Sequence, residues 1–375
     1  MNWHDLRLRY PALQNRIYLN TAACGLVSTG TQAAVQLFWD DLLNSGGKHR
    51  WDWEAQIEST RKKLAASLKV PSSQLALIPN FTVGMNYAAN LLGKGKKVLL
   101  VDQDYASVTL PWQINHYHCE LCAPEADGSI PLSKLWKHIQ EFQPDILAIS
   151  HVQWLTGYAL PLAELSQLCQ QANICLVVDA TQSWGMLPID LSETPVDIFI
   201  ASGYKWPTAG FGNAVMYVSE KVWQRGEMPV AGSSNLFLLE AGQQPSTTTL
   251  PPIGMEAGHH DYPGLIALGQ AWYELEEIGF DAIGERVLKL SNYLFDELKR
   301  IDWPIVSTYN PTFRSGIMSI KGTEAIVKSL GEQGIDVAFR GGNIRVSIHF
   351  YNQKAEIDQL TAALKHIGKA AISTT

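Results

Sequence analysis

Between residues 75 and 218, short unbroken apolar runs alternate with stretches whose apolar residues recur at helical spacing. The runs are LALIP (75–79), KVLLV (97–101), HCELC (118–122), DILAIS (145–150), ICLVVD (174–179), DIFIAS (197–202) and NAVMYVS (213–219). Helical patterns lie near 83–92, 107–116, 132–142 and 161–172. An apolar run without polar alternation suits a strand covered on both faces, and strands separated by helices pair in parallel. The pattern therefore predicts an α/β fold with a mostly parallel, seven-stranded sheet. Ligands of such sheets sit beyond the C-terminal strand ends. That rule picks out 80–84, 103–107, 151–157, 179–184 and 202–206.

The stretch 231–263 is rich in Gly, Pro, Ser and Thr and reads as a long loop or domain crossing. From about 264 one long helical pattern runs to about 301. Strand-like GIMSIKG, a helix near 323–333, strands near 335–348 and a last helix from about 354 follow, which predicts a smaller α+β domain. The division expected is a large domain over 17–261 and a small one combining 1–16 with 262–375.

Composition narrows the function. Hydrophobic residues make up 46% of the 375 positions, charged residues only 17%, and there are 12 tryptophans. Part of that apolar surplus is expected in a subunit interface. The net charge of −7 and the lack of any basic block argue against nucleic-acid binding. No run of 18 apolar residues is present and the first residues lack an apolar leader, so neither a membrane span nor a signal peptide is expected. The cysteines are Cys24, Cys119, Cys122, Cys169 and Cys175, a sparse odd set that suits reduced thiols and a cytoplasmic home. Cys119 and Cys122 form a C-x-x-C near His116 and His118, but on a strand, where neighbours alternate faces, so no metal site is assigned.

The chemistry concentrates at two strand ends. ICLVVDATQS closes a strand on Asp179, with Gln182 three residues later. DIFIASGYKW places Lys205 just past another strand. A partly desolvated lysine has a lowered pKa and can form an imine, and an acid at a strand tip can hold a cationic ring nitrogen. Pyridoxal 5'-phosphate (PLP) needs both partners. Taken singly, such an Asp is more often a helix cap and such a Lys more often surface.

Residues 196–214, VDIFIASGYKWPTAGFGNA, resemble the lysine signature of the class V aminotransferases, a group that includes cysteine desulfurases, selenocysteine lyases, kynureninases and isopenicillin-N-epimerase-like enzymes. YLNTAACG (18–25) is similar to the family's N-terminal segment, FTVGMN (81–86) to its phosphate loop, SHVQWLTG (150–157) to its SHVSNVTG-type segment, and RVSIHFYNQKAEID (345–358) to its C-terminal arginine segment. The resemblance implies a type I PLP-dependent transferase fold. It also implies a Schiff base on Lys205, Asp179 on the pyridinium nitrogen and Gln182 on the ring's phenolic oxygen. Ser202 and Tyr204 would bind the phosphate with Phe81, Thr82 and Val83 at a helix N-terminus, which attracts anions. Arg345 would clamp the carboxylate of an amino-acid substrate. Ala22 and Ala23 would line the pocket, and Tyr105 would stack on the ring. The resemblance also implies a homodimer with its sites near the interface; His259 either reaches across it to the neighbouring phosphate or is a loop residue without a task, and His260 and the segment HRWDWE (49–54) receive no role.

Three departures matter. Position 204 is Tyr, where the family has His, Gln or Arg. Trp154 stands where desulfurases have Asn. The segment FRGGNIR (339–345) lacks the cysteine that desulfurases carry there. The family label makes transamination of an α-amino acid the default expectation. β-Elimination of a cysteine-like or selenocysteine-like substrate is the runner-up, epimerisation and kynurenine-type cleavage stay open, and a PLP-binding scaffold or regulator is the non-enzyme alternative.

Overall fold

The computed structural model describes residues 2–244 and 246–372. A short strand β1 (Ile17–Tyr18) precedes two helices, Thr29–Ser45 and Arg50–Leu68. The central sheet follows, built from β2 (Leu75–Ile78), β3 (Lys97–Val101), β4 (His118–Cys122), β5 (Ile146–Ser150), β6 (Cys175–Asp179), β7 (Ile198–Ser202) and β8 (Ala214–Val218). Its order is β2-β8-β7-β6-β5-β3-β4. The pairs from β7 through β4 are parallel, and β8 runs antiparallel to both of its neighbours. Two reversals leave β2 pointing the same way as the parallel strands. The C-terminal ends of β2, β3, β5, β6 and β7 therefore meet along one edge of the sheet.

Strands β2, β3, β5, β6, β7 and β8 are buried on both faces, which is why they read as apolar runs, whereas the edge strand β4 leaves His118 and Leu121 exposed. Leu75, Leu77, Leu99, Val101, Leu147, Ile149, Leu176 and Val178 face one core. Ala76, Ile78, Val98, Leu100, Ile146, Ala148 and Val177 face the other. Cys122 packs in the first core and Cys119 against the second, on opposite sides of the sheet.

Beyond residue 300 come β9 (Ile317–Ile320), β10 (Ile335–Asp336), β11 (Ala338–Arg340) and β12 (Asn343–Ser347). Strands β11, β12 and β9 form an antiparallel sheet, while β10 pairs in parallel with β1. A third core joins this sheet to the helices Phe280–Arg300, Glu324–Glu332 and Lys354–Ile367. Leu19 lies in that core, whereas Leu6, Tyr10 and Leu13 of the N-terminal segment pack in the first core of the large sheet.

Two local readings need correction. The single long helical pattern after 264 is two helices, Tyr262–Ile278 and Phe280–Arg300, parted at Gly279 with φ +87°. A helix cannot continue through a left-handed residue, and glycine adopts one without steric cost. The helices over 29–68 went unread because no clean apolar stripe marks them. The first buries little but Thr31 and Phe38, and the second buries Arg61 and Thr60 among its apolar residues.

Candidate functional site

The strand ends build one cleft. It is lined by Asn80, Phe81 and Thr82 after β2, Tyr105 after β3, Trp154 after β5, Asp179, Thr181 and Gln182 at β6, and Ser202, Tyr204 and Lys205 at β7. Five segments distant in sequence converge there, as the strand-end rule anticipated.

Lys205 is buried at 7% relative exposure. The N-terminal loop lies directly against its backbone: Gly25 N–H donates to the Tyr204 carbonyl at 2.8 Å, and a Cβ on Gly25 would stand 1.9 Å from the Lys205 carbonyl oxygen. Its Nζ sits between two rings, 5.5 Å from the Tyr105 centroid and 5.4 Å from that of Tyr204. Burial pulls the ammonium down to about 8, with Asp179 opposing the shift and Arg345 adding to it. The Tyr204 ring stacks on exposed Phe211, 5.0 Å between centroids and 22° apart.

Asp179 ends β6 opposite Ser150 of β5. Thr181 N–H donates to its Oδ1 at 2.8 Å and the Ser150 hydroxyl lies 3.4 Å from its Oδ2. Burial raises the carboxyl to about 6, and Asp104 pushes the same way. Gln182 is held at both ends. Trp206 Nε1–H donates to its Oε1 at 2.8 Å, and its Nε2 donates to the Ala22 carbonyl at 3.1 Å. Ala22 N–H in turn donates to Ser347 Oγ at 2.9 Å, tying the N-terminal loop to β12.

Arg345 is buried beside the cleft and reaches it through Trp154: its Nη1–H group donates to the Trp154 carbonyl at 2.9 Å, with the guanidinium carbon 6.0 Å from the Trp154 ring centroid. Trp154 is itself fixed by a 3.0 Å bond from Nε1–H to the Gln103 carbonyl and by edge contact with Tyr105. Burial lowers Arg345 to about 10, far above neutrality, so it keeps its charge.

Two buried donors point to a missing ligand. Among the described residues Ser202 Oγ and Arg345 Nε have no hydrogen-bond partner, although buried polar atoms are nearly always paired. Together with the base–acid pair of Lys205 and Asp179, this donor set fits PLP. The Phe81–Leu91 helix opens into the cleft, but its Val83 N–H is already taken by the cap oxygen of Asn80 at 3.0 Å. The phosphate donors left at that terminus are the N–H groups of Phe81 and Thr82; the Thr82 hydroxyl donates to Ser107 Oγ at 2.9 Å.

The sequence profile described as "Aminotransferase class-V" matches residues 17–360. The chain belongs to the class V aminotransferase family. This is a family of PLP-dependent enzymes. Among curated relatives, the "Probable cysteine desulfurase" of Pyrococcus abyssi is 24% identical, covering 99% of this chain and 98% of that protein. The apo structure of a cysteine desulfurase from Thermococcus onnurineus NA1 superposes with a TM-score of 0.87 at 22% identity, over 98% of both chains. The structure of the cystine C–S lyase C-DES with its product cysteine persulfide gives 0.83 at 22% identity, over 95% of this chain and 99% of that one. The type I fold expected from the sequence is thus found.

The loop histidines do not enter this cleft. His259 Nδ1 lies 3.1 Å from Arg50 Nη2, and His260 is held between Glu54 and Glu256, which also pairs with buried Arg61. HRWDWE supplies Arg50 and Glu54 to that network. Sequence reading also missed Asp104, a buried acid behind Asp179 whose only signal was its place at a strand end next to Tyr105.

Proposed function

We propose that this chain is a PLP-dependent C–S lyase acting on cysteine or a cystine-like amino acid and releasing the sulfur in a small-molecule product. The similarity to proteins named as cysteine desulfurases favours the lyase over the transamination first expected. One structural observation carries the small-molecule product. Strands β11 and β12 are joined by the two-residue turn Gly341–Gly342, with φ +56° and +73°, and Leu155 packs 3.0 Å from where a Gly341 Cβ would be. Such a tight turn of two left-handed residues favours glycine and leaves no loop to carry a persulfide cysteine.

The residues then divide the work. Lys205 would hold the cofactor covalently and, once released, its neutral Nζ would take the proton from the substrate Cα. PLP, when bound, supplies an electron sink for the substrate Cα. An oxygen of Asp179 would keep the ring nitrogen protonated, Gln182 Nε2 would face the phenolic oxygen, and Tyr105 would cover the ring. Ser202 Oγ, the Tyr204 hydroxyl and the first N–H groups of the Phe81–Leu91 helix would hold the phosphate. Arg345 would bind the carboxylate with its free Nε side, and Trp154, Ala22 and Ala23 would bound the pocket. A large domain over 17–261 and a small one over 262–375 would carry the site between them, with Leu6, Tyr10 and Leu13 of the first segment packed in the large sheet's core rather than in the small domain's. A homodimer would cover exposed apolar side chains such as Leu43, Trp51, Leu236 and Phe237. The free cysteines suit a cytoplasmic setting, and no helix among the described residues is long and apolar enough to cross a membrane.

The test is product analysis with L-cysteine, L-cystine and other amino acids, with and without 2-oxo acids. Sulfide or persulfide release that is indifferent to 2-oxo acid is expected. Turnover that requires a 2-oxo acid would return the enzyme to the transaminases.

A further inference from the structure

Behind Asp179 lies a second buried carboxyl that no role so far uses. Asp104 follows β3 and Asp179 ends β6, and the strand between them, β5, ends on Ser150. Both acids are buried, at 6% and 4% relative exposure. Asp104 collects four donors: Tyr105 N–H at 2.7 Å, Ser150 N–H at 3.0 Å, the Ser150 hydroxyl at 2.6 Å and Gln153 Nε2 at 3.5 Å. Four donors suit an ionised carboxylate, which only accepts. Burial pushes the Asp104 carboxyl above its ordinary value, and those donors offset only part of the rise.

Ser150 has a single hydroxyl proton, and the 2.6 Å contact gives it to Asp104. The same oxygen then offers Asp179 Oδ2 only lone pairs across 3.4 Å. Thr181 serves the Asp179 carboxyl through its N–H, at Oδ1, and through its hydroxyl, and both contacts oppose the rise that burial and Asp104 cause. Among the described residues no hydrogen bond besides the Ser150 contact reaches Oδ2, so a ligand can place a proton there. The cations facing the pair are Lys205 and, beyond it, Arg345. His151, next to Ser150, bonds to Ser183 and is kept neutral by burial.

We infer that Asp104 is a positioning residue: fixed as a carboxylate behind Ser150, it takes the serine proton and its charge retains a proton between Asp179 Oδ2 and the ring nitrogen of the bound cofactor. The inference rests on the PLP reading above. It gives the site a two-carboxylate relay in which the outer acid touches the ligand and the inner one biases it.

The experiment loads wild type and Asp104→Asn with PLP labelled with ¹⁵N in the ring and follows the nitrogen's chemical shift against pH. The wild-type nitrogen should stay protonated through neutrality. In Asp104→Asn it should lose its proton lower by about one pH unit or more, the scale of removing one nearby buried charge. Superposable titrations would overturn the inference, whatever happens to turnover. Should Asp104→Asn fail to fold, carboxyl-¹³C aspartate in the wild-type apo protein decides. The resonances absent from Asp179→Asn and from Asp104→Glu assign the two acids; that of Asp179 should titrate above the ordinary aspartate range and above that of Asp104, and the reverse order would overturn the inference. Failure of the wild type to bind PLP would sink the cofactor reading instead, while the apo titration still judges the Asp104–Ser150–Asp179 proton order.

Discussion

Arg345 of β12 and Trp154 after β5 are joined by a 2.9 Å hydrogen bond from Nη1 to the tryptophan carbonyl, across 191 residues of sequence. The bond aims the guanidinium, while Nε has no hydrogen-bond partner among the described residues. An arginine fixed on one edge and free on another is organised to receive a carboxylate.

Arg345→Ala should therefore lower kcat/KM by roughly 10- to 150-fold, the worth of a charged hydrogen bond. Arg345→Lys should recover only part, because lysine keeps the charge and loses the fork. Steady-state kinetics on cysteine check this, and an amine lacking the carboxylate should show no difference between the variants. A wild-type rate in Arg345→Ala would remove it from the substrate site.

The buried Lys205 makes stability depend on pH. Its ammonium falls from 10.5 to about 8 in the folded apo protein. Between those values the unfolded chain binds more protons than the folded one, so stability rises with pH across that window. Below the folded pKa the buried charge costs about 3 kcal/mol. Apo Lys205→Met should accordingly be more stable than wild type by about 1–3 kcal/mol at pH 7, with the difference shrinking as pH climbs through the window. Urea unfolding at several pH values measures it; a gap independent of pH would contradict the assignment.

Trp206→Phe removes the one donor to Gln182 Oε1 found among the described residues and leaves a buried oxygen unpaired. We expect a loss of about 1–3 kcal/mol in unfolding free energy, together with weaker PLP binding as Gln182 loses its orientation. Unchanged stability would mean that Gln182 finds another partner.

If sulfur leaves on a small molecule, no cysteine of the chain is needed to carry it. Replacing Cys24, Cys119, Cys122, Cys169 and Cys175 singly with alanine should leave sulfur release within about 3-fold of wild type, with losses at buried Cys122 and Cys169 tracing to packing. Alkylation and intact-mass analysis during turnover should find no protein persulfide. A persulfide on Cys24, whose thiol is electrostatically coupled to Lys205, would overturn this.

Much of this was legible in the sequence. Runs such as ILAIS and CLVVD declare strands buried on both faces, and the strand-end rule then gathers Thr82, Tyr105, Trp154, Asp179, Ser202 and Lys205 before any contact is known. What stayed hidden depends on three-dimensional pairing. Asp104 shows its role only when β5 brings Ser150 between it and Asp179. The Val83 N–H drops out as a phosphate donor only because Asn80 caps the helix. The Gly341–Gly342 segment could be read as lacking a cysteine, but that it is a turn too tight for a persulfide loop follows from the pairing of β11 with β12.

The most direct test of the cofactor assignment is borohydride reduction of the PLP-loaded protein followed by peptide mass spectrometry. We expect a single pyridoxyl adduct, on the peptide containing Lys205, and none in Lys205→Ala. No adduct, or one on another lysine, would contradict the proposed site.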